Sequence, residues 1–453
     1  MSIGRRLLAL LAALVALTAA AAPASAAGRV ETPYRDAVSY AADLTTVGDG
    51  RTWTGTEKIV VKNAGRKPLD RVWLRLWGNG PVGCSPRAVT VTAVEGGTKR
   101  RLTRRCSALE ILLPAPLAPG LTTTLTLSLS ITAPDIQDRF GSAEGIFLFG
   151  NALPVVAQRD VRGWQLPGYS QYGESFVSSW AAFDLAFHHP VSIPVAASGT
   201  TTTTPDPGGA TATTTTAIQA RDAFWATGPM TEVTGQTKRG TLVRAWSTPE
   251  AVADRKEVLA QAVGALEEIE RHLPDYPYPE FDVVVARIEA GGGMEYPGIV
   301  LTDGSDDVTR HETGHQWFYG LVGDDQYREP WVDEGLTSFI EYTWSSPSEK
   351  PLPRCYPASK IALGGPSTFA TNSMEYWNTH VGQYIVAYNN PVCALRDLRK
   401  LIGRGKFGRV MHDLVESYAT GFLSSTALRR AFREAGGRRT DAVWRRWGLA
   451  PGR

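Results

Sequence analysis

Histidine, cysteine and net charge are all scarce in this chain. The 453 residues hold seven histidines, four cysteines and a formal net charge of only +2. The near-neutral balance gives no whole-chain attraction for nucleic acid or an anionic membrane. A local excess of 12 Lys/Arg over 4 Asp/Glu from Lys400 to Arg453 reads as solvated helix faces. No cysteine has Cys-x-x-Cys spacing, so a cysteine-based metal site is not expected. Past the first 30 residues no apolar run is long enough to span a bilayer. No internal repeat of fixed period is evident. Hydrophobic residues at 43% and charged residues at 20% fit an ordinary globular protein.

The opening "MSIGRRLLALLAALVALTAAAAPASAAG" has two arginines, an apolar run and a small-residue Ala24-Ser25-Ala26 end. That is the layout of a secretory signal peptide, residues 1–27, cleaved near Ala26 or Ala27. Loss of Arg5 and Arg6 leaves a mature charge near zero. The expectation is a secreted protein with no membrane attachment after cleavage. Export permits disulfides. Of three possible pairings, Cys84–Cys106 and Cys355–Cys393 within each half of the chain are the most economical.

Residues 28–238 read as strands. "EKIVVKN", "RVWLRLW" and "AAFDLAFHHP" are short β-branched or aromatic runs, and "TTTLTLSLSIT" alternates over Thr122–Thr132. The threonine runs of Gly199–Thr216 flank Pro-Asp-Pro-Gly-Gly and read as a hairpin rather than a flexible linker. Residues 239–453 change character. Thr248–Leu273 has helical spacing, "PEFDVVVARI" and "GIVLTD" read as strands around "EAGGGMEYP", and helices dominate after Asp306. The expected fold is multidomain: an all-β first part, then an α+β part.

Two of the seven histidines lie in "TRHETGHQWFYG", as His311-Glu312-x-x-His315. Residues four apart share a helix face, so both imidazoles can reach one ion. Glu312 then lies beside the ion, where a base for an activated water is wanted. A third ligand is at hand in "REPWVDEGLTSFIEYTW": Glu334 follows His315 with eighteen residues between, enough for a loop and a returning helix. A chance pair of core histidines is the bland alternative. The downstream Trp-x-x-Glu-Gly context weighs against it. His188, His189, His272, His380 and His412 have no such context and read as structural or surface residues.

Together these residues resemble the aminopeptidase N-like family of zinc metallopeptidases, a gluzincin family. "HETGHQW" and "WVDEGLTSF" match its ligand motifs, with Trp317 in place and Asp333 where asparagine is usual. "GGMEYPG", Gly292–Gly298, is similar to the family's Gly-x-Met-Glu-Asn element, with Tyr296 replacing the asparagine. "YNNPVCALRDLRKLIG" resembles the family's tyrosine segment without its Lys-Gly pair. The resemblance implies a saddle-like β domain, then a thermolysin-like catalytic domain. It implies a short form lacking the C-terminal helical domain, with a more open cleft.

The resemblance further implies one Zn2+ on His311, His315 and Glu334, with Glu312 as general base. Tyr388 would be the oxyanion donor, with Tyr384 and Tyr376 as its nearest rivals. Gly292, Gly293, Met294 and Glu295 would bind substrate, and Glu295 would hold its N-terminal amine. A second amine-binding residue belongs in the β domain, where Glu144 and Gln158 are the candidates. The expected activity is secreted aminopeptidase action on peptides, by a monomer with no nucleic-acid partner. The alternatives are an endopeptidase, a hydrolase of narrower substrate, and a non-catalytic zinc-bearing binding protein.

Overall fold

The computed structural model describes residues 33–251, 253–289, 291–358 and 369–450. The expected signal segment, 1–27, lies outside the described residues.

Alternation builds the first part. Thr122–Thr132 buries every second side chain, as its pattern predicts, and sits in a seven-stranded sheet. In sheet order the strands are Thr200–Pro205, Thr211–Ala220, Ala181–Pro190, Ala37–Thr46, Thr52–Lys62, Thr122–Thr132 and Val89–Glu95. All neighbours pair antiparallel except Ala37–Thr46 with Ala181–Pro190. The threonine runs form the expected hairpin, with Thr200 opposite Ala217 and Pro205 opposite Ala212. One face of this sheet is buried over an aromatic cluster. Trp53, Phe149, Phe187 and Trp225 lie there, Phe149 stacking on Trp225 at 4.6 Å. Burying each such ring contributes roughly 1.5–3 kcal/mol.

A second sheet carries the chemistry. Its strands are Thr231–Gln236, Leu242–Ser247, Glu280–Val285 and Ile299–Thr302. The last two pairings are parallel. Its strand Glu280–Val285 is buried throughout, as a parallel central strand should be. The Arg255–Ile269 helix packs against this sheet and against the Asp306–Gly314 helix. It starts seven residues later than its helical spacing suggests. Asp254 caps it by accepting from the Lys256 N–H, and the described residues before it, 248–251 and 253, are not helical. A core of helix and sheet side chains, including Trp317, Trp331, Trp377 and Trp444, fills the rest.

A third cluster draws on both parts. Phe224, Met230 and Leu148 pack with Trp246, Met294, Tyr296 and Leu301. This packing seats the 292–298 loop. Both disulfides form as expected, Cys84–Cys106 and Cys355–Cys393. Among the described residues no helix is long and apolar enough to cross a membrane.

Candidate active site and metal centre

The Asp306–Gly314 helix begins with two acids in its first turn, which suits the positive end of the helix. His315 is its C-cap and keeps helical torsions, its N–H donating to the His311 carbonyl at 3.2 Å. The two imidazoles therefore remain one turn apart on one face. The Trp331–Thr343 helix returns alongside and presents Glu334. The ligand atoms of His311, His315 and Glu334 lie within 4.8 Å of one another.

Hydrogen bonds settle what these atoms offer. His311 Nδ1 faces Glu341 Oε2 at 3.1 Å, and His315 Nδ1 faces the Phe318 carbonyl at 3.0 Å. Both partners only accept, so both Nδ1 atoms carry the proton. In neutral rings each Nε2 then holds a lone pair. The two Nε2 atoms lie 3.1 Å apart, and Glu334 Oε2 is 3.2 Å from one and 3.4 Å from the other. Three lone pairs converge where only protons or a cation can sit. Ligands about 2.0–2.1 Å from a tetrahedral zinc would be about 3.3–3.4 Å apart, so the spacing fits. Two nitrogens and one carboxylate oxygen, with a side open to the cleft, form a catalytic zinc donor set.

The electrostatics agree. Burial works against charge on both imidazoles, but Glu334 outweighs it. His315 is held up at about 9 and His311 well above its ordinary value. For Glu334, burial works upward, yet the two histidine hydrogen bonds hold its carboxyl well below the usual range. The site is built to keep positive charge, as protons or as a metal ion in their place.

Glu312 projects into the same cleft, a cavity of about 260 Å³. It makes no hydrogen bond among the described residues, and burial, the largest influence, pushes it up to about 8. Gly293 passes so close that a Cβ there would meet Leu301 O at 2.2 Å and Glu312 Cγ at 2.5 Å. The preceding glycines, Gly291 and Gly292, take φ of 76° and 74°, a region side chains disfavour. Glycine at these positions lets backbone run against the base.

The other expected residues line this cleft as well: Gly292, Gly293, Met294, Glu295 and Tyr388. Tyr296 explains its own departure from the family asparagine. Its ring stacks on Phe224 at 4.8 Å and its hydroxyl donates to Asn151 Oδ1 at 2.9 Å. Gln316, between His315 and Trp317, holds the loop from the other side. It donates to the Tyr296 carbonyl and accepts from Gly298 N–H. Tyr388 lies in the first turns of the Ile385–Ile402 helix and donates to Glu334 Oε1 at 2.7 Å. A Cβ on Gly335 would lie 2.4 Å from Pro391, so Glu334-Gly335 lets the two helices approach. Burial and Glu334 hold the Tyr388 hydroxyl well above its ordinary value, keeping it a donor. The Tyr384 hydroxyl is buried, has no partner among the described residues and lies outside the cleft, and Tyr376 stacks on His380.

Glu144 and Gln158 are corrected. Glu144 is exposed in a turn, and Gln158 is buried, bonded to the Tyr34 and Arg159 carbonyls and to Ser179. Neither lines the cleft. Glu174 does, with Arg139 donating to it at 3.1 Å. Sequence reading also missed Gln326, whose amide donates both to Glu295 Oε1 at 3.0 Å and to Asp333 Oδ2 at 2.8 Å. It missed Glu341, seven residues past Glu334, where two helical turns repeat the same face. Of the other histidines, His272 stacks on Trp344, His188 and His189 bond sheet threonines, and His412 is on the surface.

Comparisons with known proteins point the same way. Aminopeptidase Q of Mus musculus is 29% identical over 126 residues, 23% of this chain and 22% of that protein. Endoplasmic reticulum aminopeptidase 1 of Mus musculus is 24% identical over 213 residues, 41% of this chain and 23% of that protein. The chain thus spans less than a quarter of the length of either relative. The M1 zinc metallopeptidase of Deinococcus radiodurans superposes with a TM-score of 0.64 at 20% identity, covering 93% of this chain and 96% of that one. Residues 258–447 match the Peptidase family M1 domain. That span contains both histidines, Glu312, Glu334 and Tyr388, so the chain carries a Peptidase family M1 domain within the fold of the M1 zinc metallopeptidases.

Proposed function

We propose that this protein is a secreted zinc aminopeptidase that removes N-terminal residues from peptides. The observation that carries the reading is one cleft holding a three-donor metal site, an unpaired Glu312 and two further carboxylates, Glu295 and Glu174. Domains of 28–238 and 239–453 after a cleaved signal remain our reading of the chain's organisation.

A zinc ion held by His311, His315 and Glu334 would supply Lewis acidity, polarising the scissile carbonyl and acidifying a water. Glu312 takes the proton of that attacking water and passes it to the leaving amine nitrogen. Its buried position raises its basicity to suit the task. Tyr388 turns its O–H from Glu334 to the carbonyl oxygen as negative charge grows there. With a cation held there, the Glu334 carboxylate would carry less free charge and would hold the hydroxyl less tightly.

Glu295 receives the substrate ammonium, kept in place by Gln326. Glu174 faces it from the β part. Burial and the Glu295 charge push the Glu174 carboxyl well up, and an ammonium between the two would restore its ionised form. Two carboxylates about one amine suit an exopeptidase better than an endopeptidase, whose substrate has no charge to place there. A protein of similar fold, an M1 zinc metallopeptidase mutant from Deinococcus radiodurans, has been solved with a Tyr-Ser-Ala substrate bound.

The test is a panel of aminoacyl and N-acetylated fluorogenic substrates, with and without a chelator. Hydrolysis of free-amine substrates alone, lost on chelation and restored by zinc, is the expected result. Equal cleavage of acetylated substrates would favour the endopeptidase. Zinc binding without turnover would leave a binding protein.

A further inference from the structure

Next to the catalytic cleft lies a second cavity of about 480 Å³ that the mechanism does not use. Tyr172 lines both. In the cleft it adjoins Gly173 and Glu174, on the wall that receives the substrate amine. Tyr172 thus stands between that wall and the second cavity. Arg104, Arg105, Gln171 and Asn378 line that cavity, and among the described residues no acidic one does.

The two arginines are unlike their neighbours. Arg139, Arg159, Arg162 and Arg328 each face a carboxylate. Arg104 and Arg105 are exposed and, among the described residues, have no ion pair. Their backbone is strained: Arg104, Arg105 and Cys106 take φ of 52°, 55° and 65° in succession. The Cys84–Cys106 disulfide and the Ser107 hydroxyl, donating to the Arg104 carbonyl at 2.7 Å, hold this turn in place. Asn378 adds a third donor. Its Oδ1 accepts from Ser170 Oγ at 2.7 Å, which leaves its NH2 for another partner. A fixed turn carrying two arginines without ion pairs thus borders one space with the Asn378 amide, which comes from the end of the Met374–Trp377 helix.

We propose that this cavity is a carboxylate-accepting subsite, so that peptides beginning with glutamate or aspartate are preferred substrates. The proposal rests on the aminopeptidase reading above. Guanidinium groups bind carboxylates through directed, charge-assisted hydrogen bonds, which an uncharged amide side chain cannot match.

The experiment compares kcat/KM of the zinc-loaded protein on glutamyl, glutaminyl, alanyl and lysyl 7-amido-4-methylcoumarins. Glutamyl should exceed glutaminyl by about tenfold, the size of one partly solvated charge-assisted contact. Arg104→Asn with Arg105→Asn should bring the ratio near one. Asparagine tolerates the left-handed backbone, so the turn survives. Arg105→Lys should retain part of the preference, and Arg105→Glu should shift it towards lysyl. A wild-type ratio of one or less, or a ratio unmoved by the double substitution, overturns the subsite. An acid preference found only at the second residue, read with Ala-Glu against Ala-Gln dipeptide amides, overturns its assignment to the N-terminal side chain.

Failure of every aminoacyl substrate would instead overturn the aminopeptidase reading. Calorimetric binding of free L-glutamate and L-glutamine then decides the subsite. Tighter glutamate binding that the double substitution abolishes supports it. Equal binding overturns it.

Discussion

The two walls of the cleft are built in different ways. The metal wall comes from two helices close in sequence. His311 and His315 are one turn apart, and Glu334 returns on the next helix, brought close by Gly335 against Pro391. The amine wall comes from distant segments: Glu295 on a glycine-rich loop, Gln326 after the first motif helix, and Arg139 and Glu174 in the β part. A local wall is specified by helical periodicity. A dispersed wall is specified by packing, here the Phe224–Tyr296 stack and the Asn151 and Gln316 hydrogen bonds. Damage to the first should strike metal and turnover. Damage to the second should strike the choice of substrate.

The largest separable effect is expected at the amine wall. Glu295→Ala removes one partner of a desolvated charge pair and should cost about 2–5 kcal/mol in kcat/KM on free-amine substrates. Any residual activity on N-acetylated substrates should change far less. Equal losses on both would make Glu295 structural and dissolve the contrast between the walls.

On the metal wall, Tyr388→Phe should lower kcat roughly 100- to 1,000-fold with KM little changed. If Tyr384→Phe collapses instead while Tyr388→Phe stays active, the oxyanion role lies one turn earlier. Gly293→Ala probes where the walls meet. Its Cβ must displace Leu301 O or Glu312 Cγ, so kcat should fall about 100-fold while zinc content is kept. Zinc loss in that variant would mean that the loop supports the ligands as well as the base. Glu341→Gln is the smallest. Its weaker hold on His311 Nδ1–H should reduce zinc affinity about 10- to 100-fold, measured by competition with a chelator. Activity at saturating zinc should largely return.

The same contrast explains what could be read from the sequence. Thr122–Thr132 and Ala181–Pro190 were legible to the residue, because alternation on a half-wet sheet is a local signal. The approach of His311 and His315 was legible because helix period places them on one face, whereas Glu334 was reached through the family resemblance, its spacing only permitting it. The Arg255–Ile269 helix was overextended at its start, since the Ala and Val of 251–253 mimic helical spacing while Asp254 is the cap. Glu174 was not legible: nothing beside it in "QYGESF" shows that Arg139 and the cleft lie against it. Gln326 was hidden in the same way. Its two acceptors, Glu295 and Asp333, come together only in the fold. Glu341 left a usable trace, seven residues from Glu334 on a helix, but the pattern has meaning only once His311 is placed beside it.

The central claim is that Glu312 moves the proton while three other side chains hold the metal. The direct test is Glu312→Gln, measured for zinc per chain and for turnover of a free-amine substrate. The account predicts one zinc per chain, as in the unaltered protein, with turnover reduced at least about 100-fold. Near-normal turnover by a zinc-loaded Gln variant would contradict it.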